Sequence, residues 1–453
     1  MNTLEQLRTG ALAGSRRLRL SCGLPTFPRE IFELADTLEI LDLSGNALSS
    51  LPDDLPRLHQ LKIIFCSDNQ FTCLPKVLGQ CPQLSMVGFK ANQISVVPAA
   101  ALPPKLRWLI LTDNQIRELP ADIGRCTNLQ KLMLSGNRLQ TLPPELADCR
   151  QLELLRIAAN RLTALPDGLL ALPRLSWLTF AGNPLCEGRE AAALAQSPLP
   201  GIDWRDLQLQ QLLGEGASGV IHQADWQRGD RTHAVAVKLF KGEVTSDGLP
   251  HSEMAASLSA GTHPHLIAVH GSITGHPDAS PGLVMALVEP DFRALAGPPS
   301  LASCTRDSYA ADTTFTLSTL LRIAGGMALA AQHLHAQGIN HGDLYAHNIL
   351  HHVDGQALLG DFGAASFFAA ADLPLAQALQ RLEVRAFACL LEELLAHGRD
   401  PNEAPVTWQA LNELQARCAQ SDVAARPLFA EITQLLTQAA NGRRRRATIL
   451  ART

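Results

Sequence analysis

The chain has 453 residues, 46% of them hydrophobic and 18% charged, with a formal net charge of −5. That length calls for two or three domains, each with its own core. The slight acidic excess argues against nucleic acid or an anionic membrane as a partner, and no apolar run approaches the ~18 residues of a membrane span. The N-terminal stretch MNTLEQLRTGALAGSRRLRL lacks the apolar segment of a secretory signal, so a cytoplasmic protein is expected.

In the first half, asparagines recur at a nearly constant interval, at Asn46, Asn69, Asn92, Asn114, Asn137, Asn160 and Asn183. Each closes a segment such as LEILDLSGN or LQKLMLSGN, and most are followed by a Leu-Pro pair. A fixed period of this kind marks stacked repeats, none of which buries its apolar face alone. The pattern resembles the leucine-rich repeat family over residues 18–185, in about eight units. The resemblance implies a curved solenoid with a short parallel strand per repeat and asparagine amides satisfying the backbone where the chain turns away. Cys81, Cys126 and Cys149 share one phase relative to the next repeat asparagine, and Leu58 and Leu172 hold that phase in neighbouring units. The cysteines are read as small buried hydrophobes, with no C-x-x-C spacing to support a metal site. The strand position that would face the concave side reads Ile40, Ile63, Met86, Trp108, Lys131, Leu154, Trp177. Such a column either binds a protein partner, is apolar by habit of the repeat, or packs on the other domain.

The repeat phase stops near Cys186, and EGREAAALAQSPLPG is expected to be cap and linker. Domains are accordingly placed at 1–200, 201–437 and a basic tail, 438–453, in which Arg443 to Arg446 precede Thr448. The next motif is QLLGEGASGVIHQADW, with Gly214, Gly216 and Gly219. Alone, G-x-G-x-x-G also suits a dinucleotide fold, but strand-like residues follow here where that fold needs a helix. Lys238 closes VAVK on the next strand-like run; Glu253 follows in HSEMAASLSAGTHPHL, and GLVMALV contains Met285. HGDLYAHNIL sets Asp343 and Asn348 in a D-x-x-x-x-N pattern, and Asp361 opens DFG after room for a short hairpin. The ordered set resembles protein kinases from about 207 to 437, where LEVRAFACLLEELL (with Glu383 where an aspartate is usual) and RPLFAEI also fit.

What the resemblance implies is a bilobal α+β domain after the solenoid, an α/β chain overall, that binds ATP and Mg²⁺ and phosphorylates a protein substrate. Gly214, Gly216 and Gly219 would cover the phosphates, Ile221 and Ala236 would line the adenine pocket, and Met285 would be the gatekeeper. Lys238, held by Glu253, would fix the α- and β-phosphates; Asn348 and Asp361 would hold the metal, and Asp343 would serve the acceptor hydroxyl. Four departures keep a catalytically weak scaffold and a small-molecule kinase open beside a serine/threonine protein kinase. Gly342 replaces the arginine that would bind an activation-loop phosphate. Tyr345 replaces the lysine of D-x-K. The interval from Asp361 to Glu383 is too short for a full activation segment. No A-P-E motif lies within it, and Ser366 is its one hydroxyl residue.

Overall fold

Leucines at every repeat point inward and asparagines close each turn, and the first unit of the computed structural model is built on that alternation. Seven three-residue strands lie parallel in chain order: β1 (Arg17–Arg19), β2 (Ile40–Asp42), β3 (Ile63–Phe65), β4 (Met86–Gly88), β5 (Trp108–Ile110), β6 (Lys131–Met133) and β7 (Leu154–Arg156). The register pairs Ile40, Ile63, Met86, Trp108, Lys131 and Leu154 in one row. Short 3₁₀ turns form most of the opposite side, with helices α1 (Leu4–Arg8) and α2 (Asp167–Leu170) near the two ends. The structure describes residues 2–216, 218–242 and 244–450; the side chains of 403 and 442–450, including Arg443 to Arg446 and Thr448 of the expected tail, lie outside it.

The asparagine side chains share one three-way closure. Asn137 accepts from the Ile116 N–H (3.0 Å) and donates to the carbonyls of Leu111 and Leu134 (both 2.9 Å). Asn114 and Asn160 repeat it with the equivalent neighbours, and Asn69 keeps the two longer-range bonds but turns its third to the Ser67 carbonyl (3.0 Å). The residue before each asparagine is left-handed: Gly45, Asp68, Ala91, Asp113, Gly136, Ala159 and Gly182 all have φ between 52° and 72°. Only glycine takes that conformation without strain, so Ala91 and Ala159 are held there by the ladder around them. Cys81, Cys126 and Cys149 are buried, and burial pushes their thiols up to about 11, 11 and 12, as packing residues would require.

Two compact units share the chain. The first comprises Met1–Leu175, Asn183–Leu185 and Val244–Ser246; the second comprises Ser176–Gly182, Cys186–Glu243 and Asp247–Thr453. Strand β8 (Trp177–Thr179), which continues the repeat pattern in sequence, therefore belongs with the second unit, as does most of helix α3 (Pro184–Ala195).

In that unit a six-stranded sheet takes the order β10-β11-β12-β14-β13-β9, from β9 (Gly201–Asp203), β10 (Leu207–Glu215), β11 (Gly219–Arg228), β12 (Arg231–Phe240), β13 (Val269–Thr274) and β14 (Gly282–Ala286). Its core joins Ile202, Leu207, Ala224, Val235, Val237 and Val284. The stretch expected as linker is thus integral structure. β9 adds a parallel strand to β13, and Leu194 and Leu199 pack with Phe240, Leu258 and Leu283 beside helix α4 (Pro250–Ser259). Helices α5 (Leu317–Ala336), α6 (Leu373–Ala396), α7 (Pro405–Cys418) and α8 (Phe429–Leu450) form the second lobe. No helix among the described residues is long and apolar enough to cross a membrane.

Candidate active site

The glycine loop is a hairpin turn between β10 and β11, closed by the Gly216 N–H to the Gly219 carbonyl (2.9 Å). A side chain at Gly219 would strike the Leu239 carbonyl at 2.5 Å, whereas Gly214 and Gly216 have nothing within 4 Å of the place a Cβ would take. Gly219 is therefore tied down by neighbouring backbone, while Gly214 and Gly216 leave open space that would let a phosphate approach the main chain.

Sheet register carries the next residues to the same place. Ile221 pairs with Lys238 across β11 and β12, and Ala236 pairs with Met285 across β12 and β14. Lys238 and Glu253 form a buried ion pair, each less than a tenth exposed. Burial pushes the Glu253 carboxyl up, and the Lys238 charge offsets this only in part. Two charges taken out of water are costly to hold unless each satisfies the other.

The catalytic-loop residues are arranged by main-chain and buried polar bonds. Asp343 is half-buried, and Asn348 Nδ2 donates to its carboxylate (2.8 Å) and its carbonyl (3.0 Å). This uses the amide nitrogen of Asn348, so its amide oxygen is the atom that could meet a cation. His341 is fully buried; its Nε2 donates to the Gly360 carbonyl (3.0 Å) and its Nδ1 accepts from the Asp343 N–H (3.3 Å), the tautomer these partners require. Asp361 is exposed in a left-handed conformation (φ 53°), its Oδ1 accepting from the Gly363 N–H at 3.1 Å. Oxygen donors from Asn348 and Asp361 suit a hard divalent cation. Among the described residues no cluster of three or more His, Cys, Asp or Glu could hold a metal ion.

Gly342 answers the question its sequence raises. It has φ 71°, and a Cβ there would lie 2.6 Å from the carbonyl oxygens of both Ala364 and Leu178. Any side chain, arginine included, collides with backbone from two directions. Its N–H donates to Glu383 (2.8 Å), which also bonds His335 in full burial. Burial alone would raise the Glu383 carboxyl, but the His335 imidazole and the Gly342 N–H outweigh it and the net direction is down. Glu383, on α6, is thus the anchor of the catalytic loop, reached by one more methylene than an aspartate has.

Several residues around the site escape a reading of the sequence. His347 Nδ1 pairs with the Asp307 carboxylate (2.7 Å), and Asp307 also accepts from the His347 N–H (3.1 Å). Burial opposes the imidazolium, but the hydrogen bond and charge of Asp307, with the charges of Asp343 and Asp361, raise it. Tyr345 stacks face to face on Trp177, ring centroids 4.1 Å apart and 6° from parallel. Trp177, 1% exposed, is therefore not a member of an exposed binding column. Ile63, Met86 and Leu154 are buried as well, while Ile40, Trp108 and Lys131 are half-buried. Ser366 is fully buried and accepts from the Phe180 N–H (2.9 Å). The short segment after DFG is explained by α6 starting already at Leu373, with Asp372 capping it through the Leu375 N–H.

Residues 207–394 match the profile of protein tyrosine and serine/threonine kinases. Residues 37–58, 104–162 and 127–185 match leucine-rich-repeat profiles. Among solved structures, a leucine-rich-repeat protein of Leptospira interrogans is 32% identical over 39% of this chain and 46% of its own, with a TM-score of 0.37. The chain spans less than half the length of that relative. No curated protein matches. The chain carries N-terminal leucine-rich repeats and a C-terminal protein kinase domain.

Proposed function

We propose that the protein is an ATP- and Mg²⁺-dependent protein kinase acting on serine or threonine, with the repeats as its protein-interaction surface. The observation that carries this reading is the buried Lys238–Glu253 pair, in one compact unit with Asp343, Asn348 and Asp361. A costly buried pair that holds an ammonium beside a bare glycine turn has a use if that ammonium meets phosphate. The catalytic loop reads Leu344-Tyr345-Ala346-His347, with neither the A-A-R of tyrosine kinases nor the D-x-K lysine of serine/threonine kinases, so the substrate panel carries all three hydroxyl acceptors.

The residues divide the work. Gly214, Gly216 and Gly219 lay backbone over the phosphates, Lys238 pairs with them, and Ile221, Ala236 and Met285 shape the adenine pocket. Asn348 and Asp361 would hold Mg²⁺, which when bound would supply neutralisation of charge on the transferred group. Asp343 accepts the proton of the acceptor hydroxyl, and the Asn348 amide keeps its carboxylate aimed. Asp343→Ala should lower phosphotransfer by about 10²–10⁴-fold while leaving nucleotide affinity near the wild-type value. Initial rates with Mg·ATP and a panel of protein substrates, beside nucleotide titration, make the test. Wild-type hydrolysis or transfer to small alcohols without transfer to protein would contradict it.

A further inference from the structure

The segment Ser176–Gly182 reads in sequence as the last repeat, yet it belongs to the kinase unit, and together with Cys186 and Glu190 of α3 it is bonded to three parts of that unit. On the catalytic loop, Trp177 stacks on Tyr345, its Nε1–H donates to the Leu344 carbonyl (3.2 Å), and Asn340 Nδ2 donates to the Leu178 carbonyl (3.3 Å). On the segment after DFG, Ser366 Oγ accepts from the Phe180 N–H, and the Cys186 thiol donates to the Phe367 carbonyl (3.4 Å). Ser366 and Phe367 in turn pair as a strand with Asn340 and Ile339.

The third part is α4, which carries Glu253. Glu190 of α3 is 3% exposed; one carboxylate oxygen accepts from the Gly182 N–H (2.8 Å) and the other from Ser252 Oγ (2.9 Å). His251, mostly exposed, lies 3.8 Å from the same oxygen. Ser252 is in the first turn of α4, where a carboxylate also meets the positive end of the helix dipole. Glu190 therefore fixes the turn from which Glu253 reaches Lys238.

Catalytic loop, post-DFG segment and the lysine-partner helix are the three elements that a phosphorylated activation loop orders in switchable kinases. Here one cis segment bonds all three, and the Leu178 carbonyl occupies the space beside Gly342 that a phosphate-binding arginine would need. We infer that residues 176–182 and 186–190 are a built-in activating clamp, with Trp177 and Glu190 as positioning residues for Asp343 and for the Lys238–Glu253 pair. The inference rests on the kinase reading above, and its tests separate the two.

The full-length chain is compared with Glu190→Ala, Glu190→Gln, Trp177→Ala and Trp177→Phe, folding being checked by thermal unfolding. Hydrogen exchange over residues 250–259 and 341–350 reads the clamp without turnover, and steady-state kinetics read its effect on chemistry. Glu190→Ala should speed exchange in 250–259, raise the KM for ATP several-fold and lower kcat by tenfold or more; Glu190→Gln, which keeps an acceptor, should recover most of both. Trp177→Ala should speed exchange in 341–350 and lower kcat with little change in KM for ATP, and Trp177→Phe should recover it and stand in should the alanine variant not fold. Unchanged exchange and kinetics overturn the clamp, and so does a faster Trp177→Ala enzyme, which would make the segment an inhibitory plug. Loosened exchange in variants of a wild type that transfers no phosphate upholds the clamp and overturns the kinase reading.

Discussion

The two units solve the same problem, holding buried polar groups in place, in opposite ways. In the repeats one solution is used over and over: an asparagine bonded to an N–H 21 residues back and a carbonyl 26 residues back, as Asn137 is to Ile116 and Leu111. In the kinase unit each solution occurs once: Glu383 beneath Gly342, Asp307 behind His347, Glu190 under Ser252. A solenoid spreads its stability over nearest neighbours, so damage stays local. The kinase unit rests its motif residues on singular bonds, so on the proposed function damage there reaches the chemistry.

The comparison is broken most forcefully at Glu383. Glu383→Ala leaves His335 and the Gly342 N–H buried without their acceptor and should cost about 3–5 kcal/mol of kinase-unit stability, with loss of activity. Chemical denaturation monitored by near-UV circular dichroism, with phosphotransfer, measures both. The pH dependence has a definite sign. Glu383 has a depressed folded-state pKa, so its contribution is full above the unfolded value, about 4.3, and is lost as pH falls through the lower folded value. Glu383→Gln should therefore show a flatter stability profile than wild type in that acid window.

Asn137→Ala probes the repeated solution. It strands the Ile116 N–H and leaves the Leu111 carbonyl with Asn114 Nδ2 (3.1 Å) as its remaining side-chain donor, and should cost about 1–3 kcal/mol, seen as faster hydrogen exchange near residues 111–139, with kinase rates unchanged. Spread of the opening into the kinase unit would erase the distinction. The smallest effect runs the other way. Ala159→Gly relieves a left-handed alanine (φ 52°) and should stabilise by about 0.5–1 kcal/mol, since the strain removed slightly exceeds the glycine's extra unfolded-state entropy. Thermal melts of the single variant suffice.

The same contrast governs what could be read from residues alone. The repeats announce themselves by period, and the strand row from Ile40 to Leu154 falls where that period puts it. The kinase motifs are local strings whose order singles out Lys238, Asp343 and Asp361 as candidates before any fold is known. The clamp has no such signal. Trp177 and Leu344 are 167 residues apart and Glu190 and Ser252 are 62 apart, and nothing periodic joins them. Glu190 sits in EGREAAALAQ, which reads as a solvated helix face, yet it is among the most buried charges in the chain. In the sequence Tyr345 is only an oddity in D-x-K; its reason is the Trp177 indole stacked on it, 168 residues earlier in the chain. Tertiary packing decides such positions, and local propensity is silent about them.

On this reading a cis segment does the ordering that a loop phosphate does elsewhere, with Ser366 buried as an acceptor and Gly342 closed to side chains. The most direct test is the initial rate of phosphotransfer from Mg·ATP by full-length protein before and after exhaustive phosphatase treatment, with phosphate stoichiometry of residues 362–383 followed by mass spectrometry. Equal rates and no phosphate on Ser366 are expected. A rate that drops tenfold or more on dephosphorylation, and returns only with phosphate on Ser366, would contradict it.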